Sequence, residues 1–91
     1  MRSAERMCYT QRQDVRIQQV DGETLVLDDQ NGYIHQLNQT ASFVLFQCDG
    51  KSSTTEIVRR LAEEFDVEDD VAARDVSDII KKLRDLKLLN E

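Results

Sequence analysis

Few side chains in this sequence could do covalent or acid–base chemistry, and their spacing does not organise them into a site. Cys8 and Cys48 stand 40 positions apart with no partner motif. That pattern fits neither a disulfide framework nor a zinc site, so each reads as an ordinary reduced thiol. His35 is the only histidine. A Cys/His metal cluster, or a cysteine nucleophile with a histidine base, would have to be assembled around that one imidazole from distant thiols. Tyr33 and His35 have no second acid or base beside them and read as satisfied core or rim groups. What these residues leave open is binding, and no catalysis, metal or cofactor is expected.

Size narrows the choice further. With 91 residues, no proline and 3 glycines, the chain has room for one domain, and a chain this short buries only about 60–70% of its unfolded surface. A deep substrate cavity would consume core that it needs. The 12 basic and 18 acidic residues give a formal net charge of −6. The bases are interleaved with acids, whereas a phosphate backbone requires a concentrated basic surface. No window approaches the roughly 18 apolar residues of a membrane span. Residues 1–13 lack the apolar run of a signal peptide, so a cytosolic protein is expected.

The elements that must position the remaining side chains follow from periodicity. Residues 1–13 are polar and aperiodic and read as a flexible arm, leaving 14–91 as a single domain. Alternation begins at Val15, and glycine turns at Gly22 and Gly32 divide it into three antiparallel strands, 15–19, 23–28 and 33–37. A two-residue Asp21-Gly22 turn would put Ile17 opposite Val26 but Val15 opposite Asp28, splitting the apolar residues between faces. A three-residue loop with Gly22 left-handed in a bulge pairs Ile17 with Leu25 and Val15 with Leu27. The same rule at Gln30-Asn31-Gly32 pairs Leu27 with His35 and Leu25 with Leu37. The face expected to meet the helices then carries Val15, Ile17, Leu25, Leu27, Tyr33, His35 and Leu37.

Helical spacing takes over after Leu37. Ala41, Val44, Leu45 and Cys48 mark a first helix, with Asn38 as N-cap and Gly50 as its terminating glycine. Ser53 and Glu56 have the spacing of a capping box, and Ile57, Val58, Leu61, Ala62 and Phe65 form the stripe behind it. A third helix begins within 68–70 and continues through Ala72, Val76, Ile79, Ile80, Leu83 and Leu86. Acids lie near its positive end, and Lys81, Lys82, Arg84 and Lys87 near its negative end. The expected fold class is α+β, a three-stranded antiparallel sheet followed by three helices.

Two surfaces are left over. The third strand, at the edge of the meander, contains no proline, lysine or acid that would obstruct an added strand. The arm or a partner subunit could cover it instead, and the same edge admits a homodimer through residues 33–37. On the third helix, Val76, Ile79, Ile80 and Leu83 make a broad band, which is either all core or partly the wall of a groove beside that strand. Asp78 with Lys82 and Lys81 with Asp85 have the spacing of i, i+4 pairs worth about 0.2–0.5 kcal/mol each. Attraction of acidic residues in a bound peptide by Arg74, Lys81, Lys82 or Arg84 is the secondary reading of the bases on this helix.

The run Gly32-Tyr33-Ile34-His35-Gln36-Leu37-Asn38-Gln39-Thr40-Ala41 is followed by Asp49-Gly50, Ser53-Thr54-Thr55-Glu56-Ile57, Leu61, Phe65-Asp66-Val67, Asp75-Val76 and Leu88-Leu89. This ordered set resembles the PqqD-like family over about residues 15–89. The resemblance implies a winged helix-turn-helix-like domain that acts as a RiPP recognition element, a non-catalytic peptide chaperone. Such a domain captures the leader of a ribosomally made precursor peptide and presents it to a modifying enzyme, such as a radical SAM protein, cyclase or protease. It further implies that the leader adds as a strand along Tyr33, Ile34, His35, Gln36 and Leu37. Its apolar side chains would enter a groove walled by Val76, Ile79, Ile80 and Leu83. Two positions depart from the family pattern: Leu45 replaces a frequent aromatic, and Lys87 replaces a glycine before the last two leucines. The second implies a third helix that runs on or ends without a glycine cap. Winged-helix DNA binding, or a structural subunit that binds the enzyme and no peptide, are the alternatives, since fold does not fix function.

Overall fold

The turns at Gly22 and Gly32 and the N-caps of the first two helices act where the sequence places them in the computed structural model, which describes residues 8–11 and 14–90. The chain runs β1 (Cys8–Gln11), β2 (Arg16–Val20), β3 (Glu23–Asp28), β4 (Tyr33–Leu37), α1 (Gln39–Gln47) and β5 (Asp49–Ser53). It continues through α2 (Thr54–Phe65), α3 (Asp69–Asp85) and β6 (Leu89–Asn90). The fold is α+β, with the expected antiparallel meander β2-β3-β4 and three helices. A second antiparallel sheet, in the order β5-β1-β6, was not expected. Part of the arm is thus a strand, and the remainder of that segment, 1–7 and 12–13, lies outside the described residues.

The meander corrects the expected register. Ile17 stands opposite Val26, Gln18 opposite Leu25 and Val20 opposite Glu23, so the turn is the tight two-residue one. Asp21 at φ +53° and Gly22 at φ +82° have the signs of a type I′ turn, whose twist matches that of the strands. On the other side Val26 pairs with His35 and Thr24 with Leu37. Val26 is therefore the central inward residue of β3, 1% exposed. Leu25 and Leu27 lie half-buried on the outer face, flanked across the strands by Gln18, Gln36, Arg16 and Ile34. Asp28 does fall on the inner face and is buried. It is satisfied there, because its carboxylate accepts from the Asn31 backbone N–H (3.3 Å) and from Asn31 Nδ2 (2.8 Å). An apparent splitting of the apolar residues is in fact a buried acceptor that organises the 29–32 loop.

The N-terminal signals of the first two helices act as expected. Asn38 Oδ1 accepts from the Ala41 N–H at 2.8 Å to cap α1. Ser53 and Glu56 close a reciprocal capping box on α2. Glu68 precedes α3 without a side-chain cap, and Asp69 and Asp70 supply negative charge in the first turn. Gly50 does not end α1: the C-cap is Cys48, and Gly50 lies within β5. The core gathers Val26 and Leu37 from the first sheet, Val44 and Leu45 from α1, Ile57 and Leu61 from α2, and Ala72, Val76, Ile80 and Leu83 from α3. Tyr9, Leu88 and Leu89 close it from the second sheet and the segment entering it.

Candidate functional site

The two-residue turn fixes which backbone groups are spare. Val20 and Glu23 form the mutually bonded pair that closes such a turn, and bonded and non-bonded pairs alternate from there in an antiparallel ladder. Glu23, Leu25 and Leu27 therefore spend their N–H and C=O on β2, while Thr24, Val26 and Asp28 spend theirs on β4 through Leu37, His35 and Tyr33. Ile34 and Gln36 are left to point their backbone N–H and C=O out of the sheet. Among the described residues β4 pairs only with β3, and the strand of the N-terminal segment pairs with β5 and β6 instead.

Side chains along this edge alternate between faces. Ile34 and Tyr33 are 69% and 62% exposed, unusually open for large apolar residues flanking free backbone. His35 is half-buried on the helix side, its ring 5.8 Å from that of Tyr33. Leu37 is buried and anchors the end of the strand.

The structure separates the four α3 residues singled out in the sequence. Leu83 is fully buried, and Val76 and Ile80 are core residues at 2% and 6% exposure. What remains visible of Val76 and Ile80 lines a groove of about 700 Å³ toward Tyr9, Thr54, Thr55 and Val58, between α3 and the start of α2. Ile79 is half-buried and sits on the opposite shoulder of the core stripe. That shoulder repeats at helical spacing through Asp75, Ile79, Lys82 and Leu86, with Ile79 and Leu86 packed against the core. Lys82 lines a pocket of about 230 Å³ with Gln36, Leu37, Asn38, Ala41 and Glu23, which joins this shoulder to the C-terminal end of β4. Lys82 thus lies beside the end of β4, and a stripe offset by one helical step from the core stripe is the signal that reveals it.

Electrostatics leave this region open. The expected i, i+4 pairs do not form: Lys81 makes no ion pair with Asp85, nor Lys82 with Asp78. Gln36 Nε2 donates to Glu23 Oε1 at 3.1 Å on the outer face. The thiol of Cys48 is buried and donates to the Val44 carbonyl at 3.2 Å. Burial, and secondarily the charge of Asp49, pushes its pKa up to about 11, which keeps it protonated and unreactive near neutrality. Among the described residues no group of histidine, cysteine and acidic side chains could hold a metal ion, and no helix is long and apolar enough to cross a membrane.

Comparisons with known proteins bear on this arrangement. The family described as PqqD, coenzyme PQQ synthesis protein D, matches residues 23–89. Among solved structures, the chain is similar to TbiB1 in complex with the TbiA(beta) leader peptide, with 23% identity, 89% of this chain and 94% of that one covered, and a TM-score of 0.77. It is also similar to a lasso peptide synthetase B1 complexed with its leader peptide, with 24% identity, coverage of 91% and 98%, and a TM-score of 0.78. A third likeness is to the solution structure of the PqqD truncation of Methylobacterium extorquens PqqCD, a functional and stand-alone RiPP recognition element. There the identity is 18%, coverage is 91% and 88%, and the TM-score is 0.72. At these identities the likeness is one of fold. No curated protein matches the chain.

Proposed function

Because this chain belongs to the PqqD family, we propose that it is a non-catalytic peptide-binding module for the leader segment of a ribosomally synthesised precursor peptide. The observation that carries this reading is the pair of outward-facing backbone positions, Ile34 and Gln36, beside the half-buried shoulder of Ile79, Lys82 and Leu86. A strand laid along β4 gains main-chain hydrogen bonds from the edge. Every second side chain then turns toward that shoulder, which is recognition by strand addition with pockets for alternate residues. Of the residues read from the sequence, Tyr33, Ile34, His35, Gln36, Leu37 and Ile79 form the contact surface. Val76, Ile80 and Leu83 support it from the core. The leader-bound state of the fold relatives supports the same reading.

The captured precursor would be presented in the cytosol to a modifying enzyme of radical SAM, cyclase or protease type. DNA binding is not favoured, since the exposed faces of α3 mix Asp78 and Asp85 with their bases and the chain carries a net charge of −6.

Fluorescence anisotropy with the labelled leader of a precursor encoded beside this chain tests the proposal. Saturable binding is expected, weakened at least tenfold by Ile79→Asp in a variant whose helical circular dichroism is unchanged. A homodimer through β4 would compete with the peptide and disappear on dilution. A leader that fails to bind, while the modifying enzyme binds, would replace the proposal with a purely structural subunit.

A further inference from the structure

Resting on that reading, we infer that Lys82 makes the groove selective for an acidic side chain at one position of the added strand, the one facing inward beside Leu37. Whichever way the strand runs, its side chains alternate in phase with those of β4. Partners of Ile34 and Gln36 point outward, and partners of Tyr33, His35 and Leu37 point toward α3. Beside Leu37 the inward side chain meets the small pocket that Lys82 shares with Leu37, Asn38 and Ala41.

The charge there is unspent. Among the described residues Lys82 is without an ion pair, although Asp78 lies one turn before it. Asp75 lies two turns away on the same shoulder. Glu23, the other charged residue lining the pocket, opposes Val20 on the outer face of the sheet and is engaged by Gln36. Ile79 and Leu86 flank Lys82 at i−3 and i+4, half-buried against the core. An acid placed between them meets the exposed Lys82 ammonium and gains the modest attraction of a surface pair. A neutral polar side chain gains nothing comparable, and a base is repelled. A purely structural role for Lys82, complementing the negative end of α3, predicts no such selectivity.

A fluorescent positional peptide library tests this, with Asp, Gln or Lys scanned through a host strand of alternating valine and serine. At one position Asp is expected to bind about fivefold more tightly than Gln, with Lys weakest. Lys82→Arg should keep that order, and Lys82→Glu should reverse it while leaving the circular dichroism unchanged. An Asp preference that survives Lys82→Glu overturns the inference. So does the absence of any charge preference in peptides whose binding is still abolished by Ile34→Pro, although strand addition itself then stands. Binding indifferent to Ile34→Pro removes strand addition, and this inference with it.

Discussion

The amide of Leu88 donates to the carbonyl of Leu83 at 2.9 Å, and the amide of Lys87 donates to that of Arg84 at 2.9 Å. Together they close a Schellman turn after α3, with Lys87 at φ +61° as its left-handed residue. Helix three therefore does not run on; it ends without a glycine cap, the second of the two expected outcomes, and Lys87 takes the left-handed geometry that a glycine usually supplies. A β-carbon in that region is unfavourable by about 1 kcal/mol, a strain glycine does not carry. In urea denaturation Lys87→Gly is expected to be more stable than Lys87→Ala by about 0.5–1 kcal/mol. Using alanine as the reference cancels whatever the lysine head contributes.

Gly50 ties the second sheet together by having no side chain. A β-carbon there would lie 2.7 Å from Thr10 Cγ2, and its φ is +82°. Gly50→Ala should therefore lose about 2–4 kcal/mol through overpacking and backbone strain. In a Thr10→Ser background the clash disappears and only the strain persists. The penalty should then shrink by about 1 kcal/mol or more, a coupling that a double-mutant cycle reads directly.

Much of this architecture was legible because its signals are local. The Asn38 cap, the Ser53–Glu56 box and the apolar stripes of the helices need only residues a turn or two apart. The second sheet was not legible. Asp49–Ser53 has no apolar alternation, and its partner Cys8–Gln11 lies far away in sequence, so nothing local announces the pairing. The candidate site is legible along β4, whose lack of blocking residues is visible in the sequence, but only in part on α3. There, periodicity finds the core stripe and cannot say which shoulder faces the edge.

Gathering the apolar residues on one face selects the wrong register, because the true one places Asp28 inward. Its bonds from Asn31 make it suitable. Alanine substitution separates the two registers. Val26→Ala should cost about 2 kcal/mol, since Val26 is 1% exposed at the centre of the sheet. Leu25→Ala should cost about 1 kcal/mol despite removing more carbon, because Leu25 is only half-buried on the outer face. The register with Leu25 opposite Ile17 demands the reverse order, so two denaturation curves decide between them.

Thr24 is the inward neighbour of Leu37 and is fully buried, and among the described residues its hydroxyl has no hydrogen-bond partner. A buried hydroxyl without a partner forfeits its hydration, at about 1–3 kcal/mol. Thr24→Val keeps the branched shape and removes the stranded group. A gain of about 1 kcal/mol in thermal or urea unfolding is expected, with peptide binding unchanged.

The alternation of backbone bonds along β4 makes adjacent residues respond oppositely to proline. At Ile34 the amide points out of the sheet, so Ile34→Pro removes no ladder bond and leaves the fold within about 1 kcal/mol of the parent, as proline does on edge strands. It does remove a donor from the free edge and places a ring where an added strand would lie, so peptide binding should be lost. At His35 the amide is committed to Val26. His35→Pro therefore breaks the ladder beneath the core and should destabilise the protein by about 3 kcal/mol or more. Hydrogen exchange gives an independent reading on the unsubstituted protein: the amides of Ile34 and Gln36 should exchange quickly and become protected when peptide is added, while that of His35 stays protected throughout. Fast exchange at His35 with slow exchange at Ile34 would mean that the ladder is phased the other way and that the edge offers different groups to its ligand.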